Sequence, residues 1–87
     1  MKVFKFWCGQ TFYAFAAETE ELAKQKFEEG IGEDITETEE IPETEWDNKN
    51  IACWEDNDTS KEPFFMSIHE IICGTEPQMV FTNDVSF

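Results

Sequence analysis

The stretch from residue 18 to residue 47, ETEELAKQKFEEGIGEDITETEEIPETEWD, constrains the fold of this chain more than any other. Thirteen of its thirty residues are Glu or Asp and only Lys24 and Lys26 oppose them, so it carries −11 of the chain's −14. Carboxylates are almost never fully buried without a partner. Charges this dense still feel one another at the ~10 Å Debye length of 0.1 M salt. The run must therefore lie on the surface and cost stability through self-repulsion. The core is left to its flanks, which hold most of the nine Phe, three Trp and one Tyr. A chain of 87 residues is expected to form one domain, and at this size it buries only about 60–65% of its unfolded surface. Large aromatics supply the density such a small core needs, and a hydrophobic content of 40% argues against disorder despite the charge.

Residues 2–8, KVFKFWC, alternate, with Val3, Lys5 and Trp7 on one side and Phe4, Phe6 and Cys8 on the other. Gly9-Gln10 suits a tight turn and residues 11–17, TFYAFAA, alternate again, so 2–17 reads as a β-hairpin. Thr19 is an N-cap, followed by Glu20 and Glu21 where the helix dipole favours anions. The helix predicted over 20–29 has Leu22, Ala23, Lys26 and Phe27 on its inner face. Gly30 is expected at the left-handed C′ position, with Ile31 packing back on the last turn. Residues 34–41, DITETEEI, read as an edge strand whose charged middle discourages edge-to-edge pairing. Pro42 ends that strand and opens a helical turn anchored by Trp46. The apolar run 51–54 fits a strand or a helical turn equally, because periodicity does not separate the two. Residues 55–62 are a polar loop. Ser67 and Glu70 form a capping box for a short helix over 68–73, with Gly74 as its C′ residue, and 77–82 is a final strand. The fold class is α+β: a small antiparallel sheet with one helix packed on a face and a second short helix, in the order ββαβ(α)β.

All six basic residues are Lys, and the pI is near 4.1. Direct binding to nucleic acid or to an anionic membrane is therefore disfavoured, and a basic partner is favoured. Cys8, Cys53 and Cys73 have no close pair, and His69 is the single imidazole. Their spacing matches no familiar metal site, so they read as buried reduced thiols, with no metal and no disulfide. The opening MKVFKFWCG is broken by lysines and suits neither a signal peptide nor a membrane span, which points to the cytoplasm. Ser67 and His69 diverge on a helix, and the chain has no nucleophile or phosphate-loop motif. Neither an enzyme nor a cofactor is expected. Asp56-Asn57-Asp58-Thr59-Ser60 begins like a calcium-binding EF-hand loop. Lys61 stands where that loop needs its turn glycine, and Ser67 stands at its twelfth position.

The acidic surface carries the functional expectation. In a strand, Glu37 and Glu39 share a face about 6.6 Å apart, two rises of ~3.3 Å. Glu40 takes the opposite face, and Glu43, Glu45 and Asp47 extend the run around the corner. With Glu33, Asp34, Asp56 and Asp58 they form the candidate partner-binding set. Anions at such spacing approach the charge lattice of duplex DNA, one charge per ~1.7 Å of axis.

In size, pI and acid-lined α+β format the chain resembles the small acidic proteins phages use against host defences: DNA-mimicking anti-restriction proteins and several anti-CRISPR proteins. The likeness covers the whole composition and rests on no motif. The ββα opening, with Glu20-Glu21-Leu22-Ala23-Lys24 in the helix, also resembles uncharacterised small phage proteins. This resemblance implies a non-enzymatic inhibitor in the host cytosol. It would occupy the cationic nucleic-acid-binding channel of a CRISPR effector or restriction nuclease. The other reading is a small phage or bacterial structural or assembly protein whose acids only solvate it.

Overall fold

The alternation of the first seventeen residues builds the hairpin on which the other elements assemble. The computed structural model describes residues 1–53 and 60–83. β1 (Lys2–Cys8) and β2 (Thr11–Ala17) pair antiparallel from Lys2 opposite Ala17 to Cys8 opposite Thr11. Gly9, at φ 71°, opens the two-residue turn between them, in the left-handed region that a Cβ disfavours. β3 (Glu37–Ile41) pairs with the outer side of β1, and β6 (Gln78–Thr82) with the outer side of β2. The sheet order is therefore β3-β1-β2-β6, antiparallel throughout.

Period two sorts the strands into two faces. Phe4, Phe6, Tyr13, Phe15 and Ala17 meet α1 (Glu20–Gly30), which presents Ala23 and Phe27. The Phe27 ring lies 5.3 Å from Phe6, 5.8 Å from Tyr13 and 5.9 Å from Phe15, separations at which tilted and edge-on aromatic pairs attract. Val3, Ala14, Ala16, Ile41 and Val80 line the opposite face, and Trp46, Ile51 and Ile68 pack onto it. Those three come from a 3-10 turn (Glu43–Glu45) and its cap, the antiparallel pair β4 (Ile51–Cys53) and β5 (Phe64–Met66), and α2 (Ile68–Ile71). The α+β class holds, with a second layer that the sequence reading did not assemble. The run at 51 is strand over 51–53. Trp54 and residues 55–59 of the polar loop, Asp56 and Asp58 among them, lie outside the described residues.

Several boundaries differ from those expected. Within α1 only Ala23 and Phe27 are buried; Leu22 is 40% exposed and Lys26 is exposed. The two line the rim of a shallow groove of about 380 Å³ with Gln25, Glu29, Glu76 and Pro77. Gly30 does not take the left-handed conformation. The helix runs through it, Ile31 remains right-handed, and Gly32, at φ 72°, makes the reversal. The amides of Ile31 and Gly32 both donate to the Phe27 carbonyl, at 2.7 and 3.2 Å. Ile31 packs against the helix-side core, and its docking carries the helical path past Gly30.

β3 starts at Glu37 instead of residue 34 because Thr36 ties down the approach. Its amide and hydroxyl donate to the Trp7 carbonyl at 2.7 and 3.0 Å, and its hydroxyl accepts from the Gly9 amide at 3.1 Å. The Ser67–Glu70 capping box is present. α2 stops at Ile71, however, with Ile72 extended, so Gly74 lies beyond the helix and is not its C′ residue. The Gln78 side chain holds this segment in a turn instead, accepting from the Cys73 amide and donating to the Cys73 and Glu76 carbonyls.

The two glycines at the end of α1 should respond oppositely to substitution. A Cβ at Gly30 meets nothing within 4 Å, so Gly30→Ala should stabilise by about 0.4–1 kcal/mol. Gly32→Val should destabilise by at least about 1–2 kcal/mol, the cost of a left-handed backbone for a residue with a Cβ. Urea unfolding of both variants checks the assignment; the reverse order would put the reversal at Gly30.

Candidate functional site

β3 is an edge strand, and Glu37, Thr38, Glu39 and Glu40 are all exposed while Ile41 is buried. Register decides where each carboxylate points. Glu37 stands opposite Trp7, Glu39 opposite Lys5 and Ile41 opposite Val3, on the face that carries Trp46. Thr38 and Glu40 stand opposite Phe6 and Phe4, on the α1 face. Seen along the edge, the acids splay to both sides of the sheet.

The run continues at both ends of β3. Glu33 and Asp34 lie beside Cys8. Partial burial pushes that thiol above its usual value, and the charge and hydrogen bond of Glu33, then the charge of Asp34, push it further. Beyond β3, Glu43 and Glu45 sit on the 3-10 turn. The indole N–H of Trp46 donates to the Ile41 carbonyl at 3.1 Å, which folds the chain back over the face of Val3.

Asp47 is drawn away from the row. Its Oδ1 lies 2.6 Å from Nδ1 of His69, whose ring meets Trp46 edge-on at 5.3 Å and whose amide donates to the Trp46 carbonyl at 3.2 Å. Lys49 lies 3.5 Å from Glu70. The Ser67 amide is the main reason the Glu70 carboxyl sits below the usual carboxylate range, with Lys49 adding to it.

Of the ten expected site residues, the structure therefore brings Glu33, Asp34, Glu37, Glu39, Glu40, Glu43 and Glu45 along one edge and corner. All seven are exposed, and none forms an ion pair with another described residue. Asp47 is paired, and Asp56 and Asp58 lie outside the described residues. Lys5, directly across from Glu39, leans instead over the rings of Phe12 at 4.7 Å and Trp7 at 5.9 Å, a cation–π placement.

Sequence reasoning missed the half-buried platform beneath that lysine. Trp7 and Phe12 are 5.0 Å apart, and Phe12 and Phe81 5.3 Å. The shared parity of Lys5 and Trp7 was its one local signal. Phe81 arrives only because β6 breaks register, pairing with Ala14 through Phe81 and with Phe15 through Met79. The thiol expectation also needs correction: Cys8 and Cys53 are half-buried and Cys73 is exposed, because Cys8 closes β1 at the turn and Cys73 follows the short helix. Among the described residues, no group of three or more His, Cys, Asp or Glu side chains is placed to hold a metal ion. No described helix is long and apolar enough to cross a membrane. No protein-family model, curated protein or solved structure matches the chain.

The environment of Cys8 predicts its reactivity, since the thiolate is the nucleophile. In alkylation at pH 8 followed by peptide mapping, exposed Cys73 should react well before Cys8. Glu33→Gln should speed Cys8 severalfold. Equal rates for Cys8 and Cys73 would show that Glu33 and Asp34 do not lie against the thiol.

Proposed function

We propose that this protein is a stoichiometric, non-enzymatic inhibitor of the anti-restriction or anti-CRISPR type. Its acidic edge occupies a cationic nucleic-acid-binding surface on a host nuclease complex. It acts in the host cytosol and has no need to touch nucleic acid itself. The observation that carries this reading is the exposed run of Glu33, Asp34, Glu37, Glu39, Glu40, Glu43 and Glu45, not neutralised by any described cation. Lysines at 5 and 49 are engaged elsewhere, on rings and on Glu70. An unneutralised row keeps its long-range field, which steers and holds a cationic partner.

A second reading, a structural or assembly protein with a merely solvated edge, is favoured by different residues. Phe64 and Phe65 are 49% and 55% exposed on β5, and apolar side chains left in water often mark a packing interface.

The test is displacement of a labelled DNA duplex from CRISPR effectors and restriction nucleases. Inhibition should weaken steeply between 50 and 300 mM salt, by at least about tenfold, as screening grows. Single Glu→Gln changes should cost little, because an exposed ion pair is worth ~0–1 kcal/mol. Combined change of Glu37, Glu39, Glu43 and Glu45 to Gln should abolish inhibition while stability holds or rises, through relief of repulsion. Full-strength binding by the quadruple variant would leave the acids as solvation and move the interface to the aromatic surfaces.

A further inference from the structure

The four-stranded sheet has two open edges, and they are not equivalent. On β6 the ladder is interrupted by the extra residue between Met79 and Phe81, and such a bulge twists an edge and blunts it as a template. β3 pairs with β1 through five consecutive positions, from Trp7 opposite Glu37 to Val3 opposite Ile41. No described strand pairs with its outer side. In an antiparallel strand, alternate residues turn their N–H and C=O groups outward. β3 therefore offers to anything that approaches the edge a row of backbone donors and acceptors that no described strand pairs.

Charge decides what can approach. A second copy of this strand would set Glu against Glu, and directly opposed like charges are destabilising across a ladder. An incoming strand with Lys or Arg at every second position has the opposite sign at the same spacing. Its cations recur every two rises, ~6.6 Å, the repeat of Glu37 and Glu39 on the Trp46 side of the sheet. Its intervening residues fall on the other side, with Glu40. Lys5 already stands opposite Glu39 from within the sheet but leans onto Phe12 at 4.7 Å and forms no ion pair with a described residue. The Glu39 carboxylate is thus left for a cation from outside.

We infer that β3 is a strand-addition site for a basic extended segment of the partner. Main-chain hydrogen bonds to the open edge supply affinity, and alternate cations over Glu37 and Glu39 supply selectivity, as in other β-augmentation interfaces. This rests on the reading of the acidic edge as an interface and adds how the partner engages it. It names a β-strand bearing Lys or Arg at i and i+2.

Acetyl-Lys-Val-Lys-Val-Lys-Val-amide is the probe, titrated into the full chain and followed by amide NMR and hydrogen exchange. The expected result is saturable shifts centred on 37–41. Exchange of the outward-facing amides of β3 should slow at least tenfold. The same peptide N-methylated at alternate residues keeps every charge and loses the ladder, and should bind at least tenfold more weakly. Thr-Val-Thr-Val-Thr-Val should bind weakly too.

Equal binding of the parent and N-methylated peptides would overturn strand addition while leaving a purely electrostatic interface standing. Shifts centred on β6 or on Trp7 and Phe12, or no binding by the parent peptide, would also overturn it. The DNA-displacement assay with the quadruple variant fails or succeeds independently, so loss of the acidic-interface reading can be told apart from loss of this one.

Discussion

The arrangement depends on the burial of Trp46. Between Ile41 and Ile51 it is the one large apolar side chain in a stretch of Glu, Asp, Asn, Thr, Lys and Pro. It is 6% exposed, and a buried aromatic of this kind removes 150–250 Å² from water, on the order of 4–6 kcal/mol at ~25 cal/mol/Å². That is enough to turn the chain at the end of an edge strand that its own charges would otherwise push into solvent. The indole N–H finds the Ile41 carbonyl, so the ring is buried without an orphaned donor. Once it lies over the face of Val3 and Ala16, Ile51 and Ile68 join it. The second layer of the protein then exists.

The same anchor shapes the electrostatics. It divides the acidic run into a part left without an ion pair at the edge and a residue, Asp47, that stays exposed but meets a partner within the chain. Asp47, the next residue, reaches His69, and Lys49 reaches Glu70. Upstream of Trp46 the carboxylates from Glu33 to Glu45 stay exposed and form no ion pair with a described residue. An edge is the place where such a row costs least, since solvent screens it from several sides and the charge protects the strand from pairing with itself. A charge that disfavours self-pairing of the edge would, on the proposed function, also select the sign of a partner. The solvation and recognition readings of the acids therefore share one geometry.

The helix-side core is simpler. Phe27 touches three rings from two strands, and Ala23 lets the helix approach closely. The opposite face mixes aliphatic packing near Val3 with the half-exposed platform of Trp7, Phe12 and Phe81 farther along. The layer organised by Trp46 covers the first part and leaves the second partly open.

Much of this was legible in the residues themselves, wherever a feature depends on neighbours within one or two turns of chain. The hairpin follows from strict alternation, the start of α1 from Thr19, the capping box from Ser67 and Glu70, and the edge character of β3 from a strand whose middle is all polar. The acidic set was legible as composition, since carboxylates must stay in water. What only the tertiary structure decided involves groups far apart in sequence. Gly30 and Gly32 are equally able to reverse a helix, and the docking of Ile31 on the core chose between them. Asp47 looks like its neighbours until His69, 22 residues away, is brought to 2.6 Å. Cys8 looks like a core residue until the turn and Glu33 leave it half-exposed. Local propensity is a free energy of a few tenths to about one kcal/mol per residue. The burial of one ring or the pairing of one strand exceeds it, and neither is written in any short window of the chain.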